Sequence, residues 1–185
     1  KEDLVLSTFS FAKYLMWKDL RDRVNVLKEN PFVEHLIETP QKSYQQESQF
    51  YQQGEIDSQF KPSEAFIPLN ADSSQMVAIA ASEKEQDFVL EGPPGTGKSE
   101  TIANVISHNL AKGRKVLFVA EKMAALNVVY SRLQKIGLSH LCLELHSNKA
   151  NKKAILDQLK SAWTTREKAS SLEWQDNADK LYKLK

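Results

Sequence analysis

Apolar residues recur at helical spacing near the start of the chain, at Ala12, Met16, Leu20, Val24 and Leu27. The spacing predicts a helix from a Ser10 cap to about Glu29, stopped where Pro31 follows Asn30. Phe9, Phe11, Tyr14 and Trp17 make it unusually aromatic, and its stripe is expected to pack as a core face, with a docking face as the alternative. From Pro40 to about residue 65 the pattern disappears. Gln41-Lys42-Ser43-Tyr44-Gln45-Gln46 and Gln52-Gln53-Gly54 are polar and aperiodic, as in a surface linker, with Phe50 and Tyr51 as candidate anchors. Periodicity returns with a helix from an Asp72 cap to about Ser82, then a short apolar run at Phe88-Val89-Leu90. A helix from Lys98 to Leu110 places Ile102, Val105, Ile106 and Leu110 on one face and stops at Gly113. Val116-Leu117-Phe118-Val119 reads as a second strand. A helix to about Ile136 follows, with Leu126, Val129, Tyr130 and Leu133 inward and Gly137 as its stop. Leu141-Cys142-Leu143 begins a third strand. From Asn151 the chain is helical again, with Leu156, Leu159 and Trp163 on one side.

Strand, helix, strand, helix, strand is the order of a parallel α/β sheet, and apolar runs without alternation suit strands covered on both faces. The expected organisation is an N-terminal helical segment over 1–39, a Gln/Ser-rich linker over 40–65, the first part of an α/β domain over 66–150, and a helical C-terminal segment over 151–185. The chain's 185 residues are enough to bury a core. A net charge of +1 carries no basic excess that would announce nucleic acid, although basic residues can still cluster on one face. No apolar run is long enough to span a bilayer, and mean hydropathy is −0.48. The single cysteine, Cys142, precludes an internal disulfide, fits a reducing, cytoplasmic setting, and reads as a buried inert thiol. The charged, helix-like stretch at Tyr182-Lys183-Leu184-Lys185 and the start at Lys1-Glu2-Asp3 are expected to be cuts in a longer protein.

One motif carries specific chemistry. Gly92-Pro93-Pro94-Gly95-Thr96-Gly97-Lys98-Ser99 fits the phosphate-binding pattern G-x-x-x-x-G-K-[ST], between an apolar strand and an amphipathic helix. Its glycines let successive N–H groups face inward as an anion nest, and the helix behind points its positive end at the phosphates. Lys98 would reach the β- and γ-phosphates as the catalytic cation, and the Ser99 hydroxyl would hold Mg²⁺. Glu100 and Thr101, in the first turn of that helix, are counted with the nucleotide site. The expected ligands are ATP and Mg²⁺.

The wording Pro93-Pro94-Gly95-Thr96-Gly97 is shared by AAA+ ATPases and superfamily 1 helicases, and the flanks distinguish them. Gln75, within Leu69-Asn70-Ala71-Asp72-Ser73-Ser74-Gln75, matches the glutamine with which superfamily 1 helicases read adenine. It also stands three residues after Asp72, where a capping-box partner belongs. Val116 to Leu126 resembles the helicase motif that touches the backbone of single-stranded nucleic acid, but Glu121-Lys122-Met123 replaces the usual Pro-Thr/Ser-Asn wording. Lys122 would pair with a phosphate and Glu121 would repel one. Phe9 to Met16, Ala71 to Gln75, Ala120-Glu121-Lys122 and Leu143-Glu144-Leu145-His146-Ser147 resemble a family of large bacterial proteins. These carry a superfamily 1 helicase core of the group related to the nonsense-mediated-decay RNA helicase, behind a domain of unknown function. The resemblance covers most of the chain outside the linker. It implies a RecA-like P-loop domain, a second RecA-like domain elsewhere in the protein, and single-stranded DNA or RNA as partner.

Hydrolysis needs a further carboxylate pair to share the Mg²⁺ and position water, and no Asp-Glu pair follows a strand here; Glu144 stands alone. The chain by itself is therefore expected to bind nucleotide without hydrolysing it efficiently. The four histidines and Cys142 lack metal-ligand spacing, and His146 and Ser147 have no Asp in a recognisable pattern. A P-loop ATPase acting on proteins, of AAA+ or signalling type, is the main alternative. A non-enzymatic module working through the aromatic N-terminal helix is a third.

Overall fold

The computed structural model describes residues 11–44, 50–51, 54–84, 86–145, 152–164 and 180. It divides into two units, Lys1–Glu47 and Ser48–Lys185. Ser10, His146 and Ser147 lie outside the described residues.

In the first unit the expected single helix is two. α1 spans Phe11–Asp22 and α2 spans Val24–Leu27, with Arg23 between them at φ −109°, ψ 9°. Asn30 and Pro31 stop α2 and also start α3, Pro31–Glu38. Asn30 Oδ1 accepts from the Phe32 and Val33 amides at 3.0 and 3.1 Å, while Pro31 occupies a first-turn position that needs no N–H donor. Tyr44 folds back on Phe32, edge to face at 5.0 Å. The core face expected of α1 is not formed among the described residues: Phe11, Tyr14, Leu15, Met16, Trp17 and Leu20 are all exposed. Tyr14 and Trp17 meet with ring centroids 5.8 Å apart, and the Arg21 guanidinium lies over the Trp17 ring at 4.6 Å.

The second unit is organised around one helix. α4 (Ile56–Gln59) packs on α5 (Ser73–Ala81), and α6 (Lys98–Ala111) lies between α5 and α7 (Met123–Lys135). Gly113 and Gly137 follow α6 and α7 as the stops that the pattern predicts. On one side of α6, Ala103 and Ile106 meet Val129 and Leu133 of α7, with Phe118 and Cys142 packed against them. A second cluster joins Ile56, Phe60 and Ala80. Ile56 and Phe60 belong to the stretch read as a linker, so its second half is anchored: α4 is too short to show a period, and two apolar side chains suffice to fasten it.

The face of α6 opposite α7 is polar, and it is also buried. Asn104 is 0% exposed; its Oδ1 accepts from the Leu69 amide and its Nδ2 donates to the Leu69 carbonyl, both at 3.0 Å. His108 is equally buried, with Nδ1 accepting from the Phe66 amide at 3.4 Å and Nε2 at 3.0 Å from Glu83. Asn109 Nδ2 donates to Ser82 Oγ at 2.8 Å, and Arg114 donates to the Ser82 and Glu83 carbonyls where α5 ends. Buried polar groups are tolerated when each finds a partner. These partners clamp residues 66–84 onto α6, which places α5 beside the phosphate-loop motif.

The segments read as strands, near 88–90, 116–119 and 141–143, contain no paired strand among the described residues. A short 3-10 turn, Ser139–Leu141, opens the third. Val89 and Leu117 are 85% and 87% exposed. Residues 116–121 and 141–145 line an open cleft of about 610 Å³ floored by Val129, Tyr130 and Leu133 of α7. α8, Lys152–Thr164, reaches back through Gln158, whose Oε1 accepts from the Glu144 amide at 2.9 Å. Leu156, Leu159 and Trp163 of α8 are exposed.

Candidate functional site: the loop at Gly92–Ser99

Two glycines shape the loop where α6 begins. Gly95 has φ +89° and Gly97 φ +71°, the left-handed region that costs other residues energy. Gly97 is the N-cap of α6, and its carbonyl accepts from the Glu100 and Thr101 amides at 2.8 and 2.9 Å. Lys98 is the first helical residue and Ser99 the second, so both project from the end where the α6 dipole is positive. The loop also closes around its own backbone. A Cβ on Gly92 would stand 2.8 Å from Thr96 Oγ1, and one on Gly97 would stand 2.7 Å from Gln75 Nε2. Both neighbours are tips of flexible side chains that could give way, so the firmer demand for glycine in the loop is the left-handed backbone at Gly95 and Gly97.

The side chains of the loop converge on it. Lys98 Nζ donates to the Gly92 carbonyl and, at 2.7 Å, to the Pro93 carbonyl. A phosphate oxygen would offer that ammonium a stronger, charge-assisted partner than either carbonyl. Thr96 Oγ1 donates to the Pro93 carbonyl at 2.9 Å, holding the turn closed, and Pro94 lies exposed at its outer edge. Thr101 is buried, and its hydroxyl donates to the Gly97 carbonyl at 3.2 Å. It supports the loop from below, whereas Ser99 and Glu100 are only partly buried at its rim.

Gln75 takes part in both arrangements that the sequence left open. Its Oε1 accepts from the Asp72 amide at 3.0 Å while Asp72 Oδ1 accepts from the Gln75 amide at 2.8 Å, a complete capping box. Its Nε2 meanwhile donates to the Thr96 carbonyl at 3.0 Å. One amide thus ties the start of α5 to the phosphate-loop backbone. Lys122 stands apart from this cluster: it is exposed at the N-cap of α7, next to exposed Glu121.

Other candidate chemistry is weak. The Cys142 thiol is half-buried and donates to the Leu138 carbonyl, and burial, then the nearby Glu144 charge, pushes its pKa up, as expected of an inert thiol. No group of three potential metal ligands occurs among the described residues. Among the described residues, no helix is long and apolar enough to cross a membrane. Two features escaped the sequence reading: the polar stripe Asn104–His108 on α6, and Arg132 of α7, which reaches Glu100 beside the loop at 2.7 Å. The stripe carries no distinctive signal, because α6 is polar at Thr101, Asn104, Ser107, His108 and Asn109 and such spacing ordinarily marks a solvated face. The Arg132 contact spans 32 residues and has none.

Comparison with known proteins agrees with this geometry. A family model described as an AAA domain matches residues 69–183, from the Leu69 strap through the loop to α8 and beyond. An uncharacterized ATP-dependent helicase, MG140, of Mycoplasma genitalium is 39% identical over 104 residues, which is 56% of this chain and 9% of that protein. Its homolog in Mycoplasma pneumoniae, named in the same words, is 47% identical over 72 residues, 39% of this chain and 6% of that protein. The match thus spans less than a tenth of either relative. No solved structure matches the chain significantly. The family match covers more than half of the chain, includes the whole loop, and begins at the residue that Asn104 clamps; the chain belongs to the AAA domain family.

Proposed function

We propose that Gly92–Ser99 binds the triphosphate of ATP with Mg²⁺, and that the chain is the nucleotide-binding part of a superfamily 1 helicase or translocase. The observation that carries the reading is the left-handed Gly97, which opens α6 with Lys98 and Ser99 as its first two residues. In this role Lys98 Nζ holds the β- and γ-phosphates, the loop amides cradle the phosphate oxygens, and the Ser99 hydroxyl is a ligand of Mg²⁺. Bound Mg²⁺ would neutralise phosphate charge and orient the terminal phosphate. Gln75 serves the adenine from α5 while holding Thr96, so that base and phosphate recognition share one side chain.

The fold that fits this reading is a RecA-like parallel sheet, with strands at 88–90, 116–119 and 141–143 flanked by α5, α6 and α7. It is supported by the apolar runs themselves, whose lack of alternation suits strands that carry cover on both faces. Lys122 is the proposed phosphate contact to single-stranded DNA or RNA. A second RecA-like domain and the metal-binding carboxylate pair belong to the proposed whole protein, which acts in the cytoplasm.

Two measurements test the reading. The chain should bind a fluorescent ATP analogue in the presence of Mg²⁺, and Lys98→Ala should abolish that binding without lowering the unfolding midpoint. In the full-length protein, ATP hydrolysis should rise with single-stranded nucleic acid and vanish in Lys98→Ala. Stimulation by a protein partner instead of nucleic acid would favour the second reading, a P-loop ATPase acting on proteins.

A further inference from the structure

Glu100 brings a negative charge into the first turn of α6, one residue beyond Ser99. The helix end that attracts phosphate attracts this carboxylate as well, so the two compete for the same positive potential. The carboxylate also lies close to the loop: Glu100 Oε2 is 3.4 Å from where a Cβ on Gly97 would stand. From α7, Arg132 Nη1 donates to Glu100 Oε1 at 2.7 Å, and the two side chains are 32% and 40% exposed. Arg132 Nε is buried and has no hydrogen-bond partner among the described residues, so the guanidinium is directed at this one carboxylate. At such partial exposure a charge is only partly screened.

We propose that Arg132 is a positioning residue for triphosphate binding: by pairing with Glu100 it withdraws a repulsive charge from the phosphate end of α6 and so favours ATP over ADP. The proposal rests on the reading that Gly92–Ser99 binds ATP. It assigns the pair an electrostatic task, distinct from a mechanical tie between α6 and α7. A tie fails in the same way whichever partner is removed. A charge guard fails only when Glu100 is left unpaired.

The test measures binding of fluorescent ATP and ADP analogues, with Mg²⁺, to the full chain carrying Arg132→Met, Arg132→Lys, Glu100→Gln, or Arg132→Met with Glu100→Gln. Arg132→Met should weaken ATP binding about tenfold, the size of one partly screened unit charge near a phosphate, and ADP binding less. Glu100→Gln added to it should restore affinity to within about twofold, and Arg132→Lys should stay close to the unsubstituted chain. Glu100→Gln alone should bind ATP more tightly, by about threefold or more, because Arg132 is then free to face the phosphates. That last arm decides the matter even if Arg132→Met does not fold. Unchanged or weaker binding by Glu100→Gln, or equal losses for ATP and ADP in Arg132→Met, overturns the proposal. If the unsubstituted chain binds neither nucleotide, the reading of the loop falls and the proposal with it. If it binds in a Lys98-dependent way that Arg132→Met leaves unchanged, the proposal alone falls.

Discussion

Asn104 fastens the segment that leads into α5, and its replacement can be worked through from the contacts. Both ends of its amide are used on a single residue, accepting from the Leu69 N–H and donating to the Leu69 carbonyl at 3.0 Å each. Asn104 is wholly buried and Leu69 half-buried. Asn104→Ala leaves two backbone groups without partners, each costing about 1 kcal/mol at the low end of the range because Leu69 retains some access to water. The truncation also opens a small void, so the total is about 2–3 kcal/mol, a substantial share of the ~5–15 kcal/mol typical of a domain. Asn104→Asp should cost more than Asn104→Ala at neutral pH. The new carboxylate still accepts from the Leu69 amide, but its second oxygen faces the Leu69 carbonyl, and the charge is buried. Burial raises the pKa of that new carboxyl, and its protonated form can donate to the carbonyl. The stability of Asn104→Asp should therefore fall as pH rises through the carboxylate range, with the gap to Asn104→Ala narrowing in acid. Urea unfolding followed by far-UV circular dichroism measures both, with the slope expected to stay constant. The strap from Leu69 leads directly to the Asp72–Gln75 box, so nucleotide affinity should drop as well. A loss under about 0.5 kcal/mol for Asn104→Ala, or equal stability of the two variants at neutral pH, would refute the reasoning.

Two further outcomes follow from the same network. Gln75→Glu keeps an acceptor for the Asp72 amide but replaces the donor to the Thr96 carbonyl with a carboxylate oxygen, so nucleotide affinity should fall while the unfolding midpoint moves by less than about 0.5 kcal/mol equivalent. Gln75→Ala, measured alongside, should lose part of the cap, about 1 kcal/mol, as well. The pKa of Glu83 is subject to burial, which raises it, but hydrogen bonds from Lys112 and His108 and their charges outweigh this and leave it lowered. A carboxyl depressed on folding contributes stability above its unfolded pKa and loses it as pH falls through the depressed value. Glu83→Gln should therefore flatten the acid side of the stability–pH curve below the ordinary carboxylate range, and an unchanged acid limb would contradict the assignment.

The features legible in the sequence are those whose causes are local. Asn30 and Pro31 mark a helix boundary because a side-chain acceptor and a missing N–H suit the first turn of α3. Gly113 and Gly137 end α6 and α7 where the apolar period stops. The loop at Gly92–Ser99 is readable for the same reason: Gly95 and Gly97 serve left-handed turns of the backbone within the motif itself. Gln75 was half legible. Its capping box is a three-residue relation, but its bond to Thr96 crosses 21 residues.

What lay beyond the sequence depends on which distant segments meet. α1 carries an apolar period, yet the described structure leaves that face exposed, because periodicity records a helix and not the surface it packs on. Ile56 and Phe60 sit in a polar, aperiodic stretch and are among the most buried residues, because burial follows from the place of α4 against α5. Asn104 and His108 look like solvated helix positions until Leu69, Phe66 and Glu83 come to meet them. Arg132 acquires a role only because α7 lies along α6 with Glu100 within reach. The helix stops and the Gly92–Ser99 motif are legible because each residue there answers to its chain neighbours. The pairing of polar groups in the interior, and of Arg132 with Glu100 beside the loop, comes from the packing of α5, α6 and α7, since a buried hydrogen bond or ion pair depends on the approach of segments that no local pattern encodes.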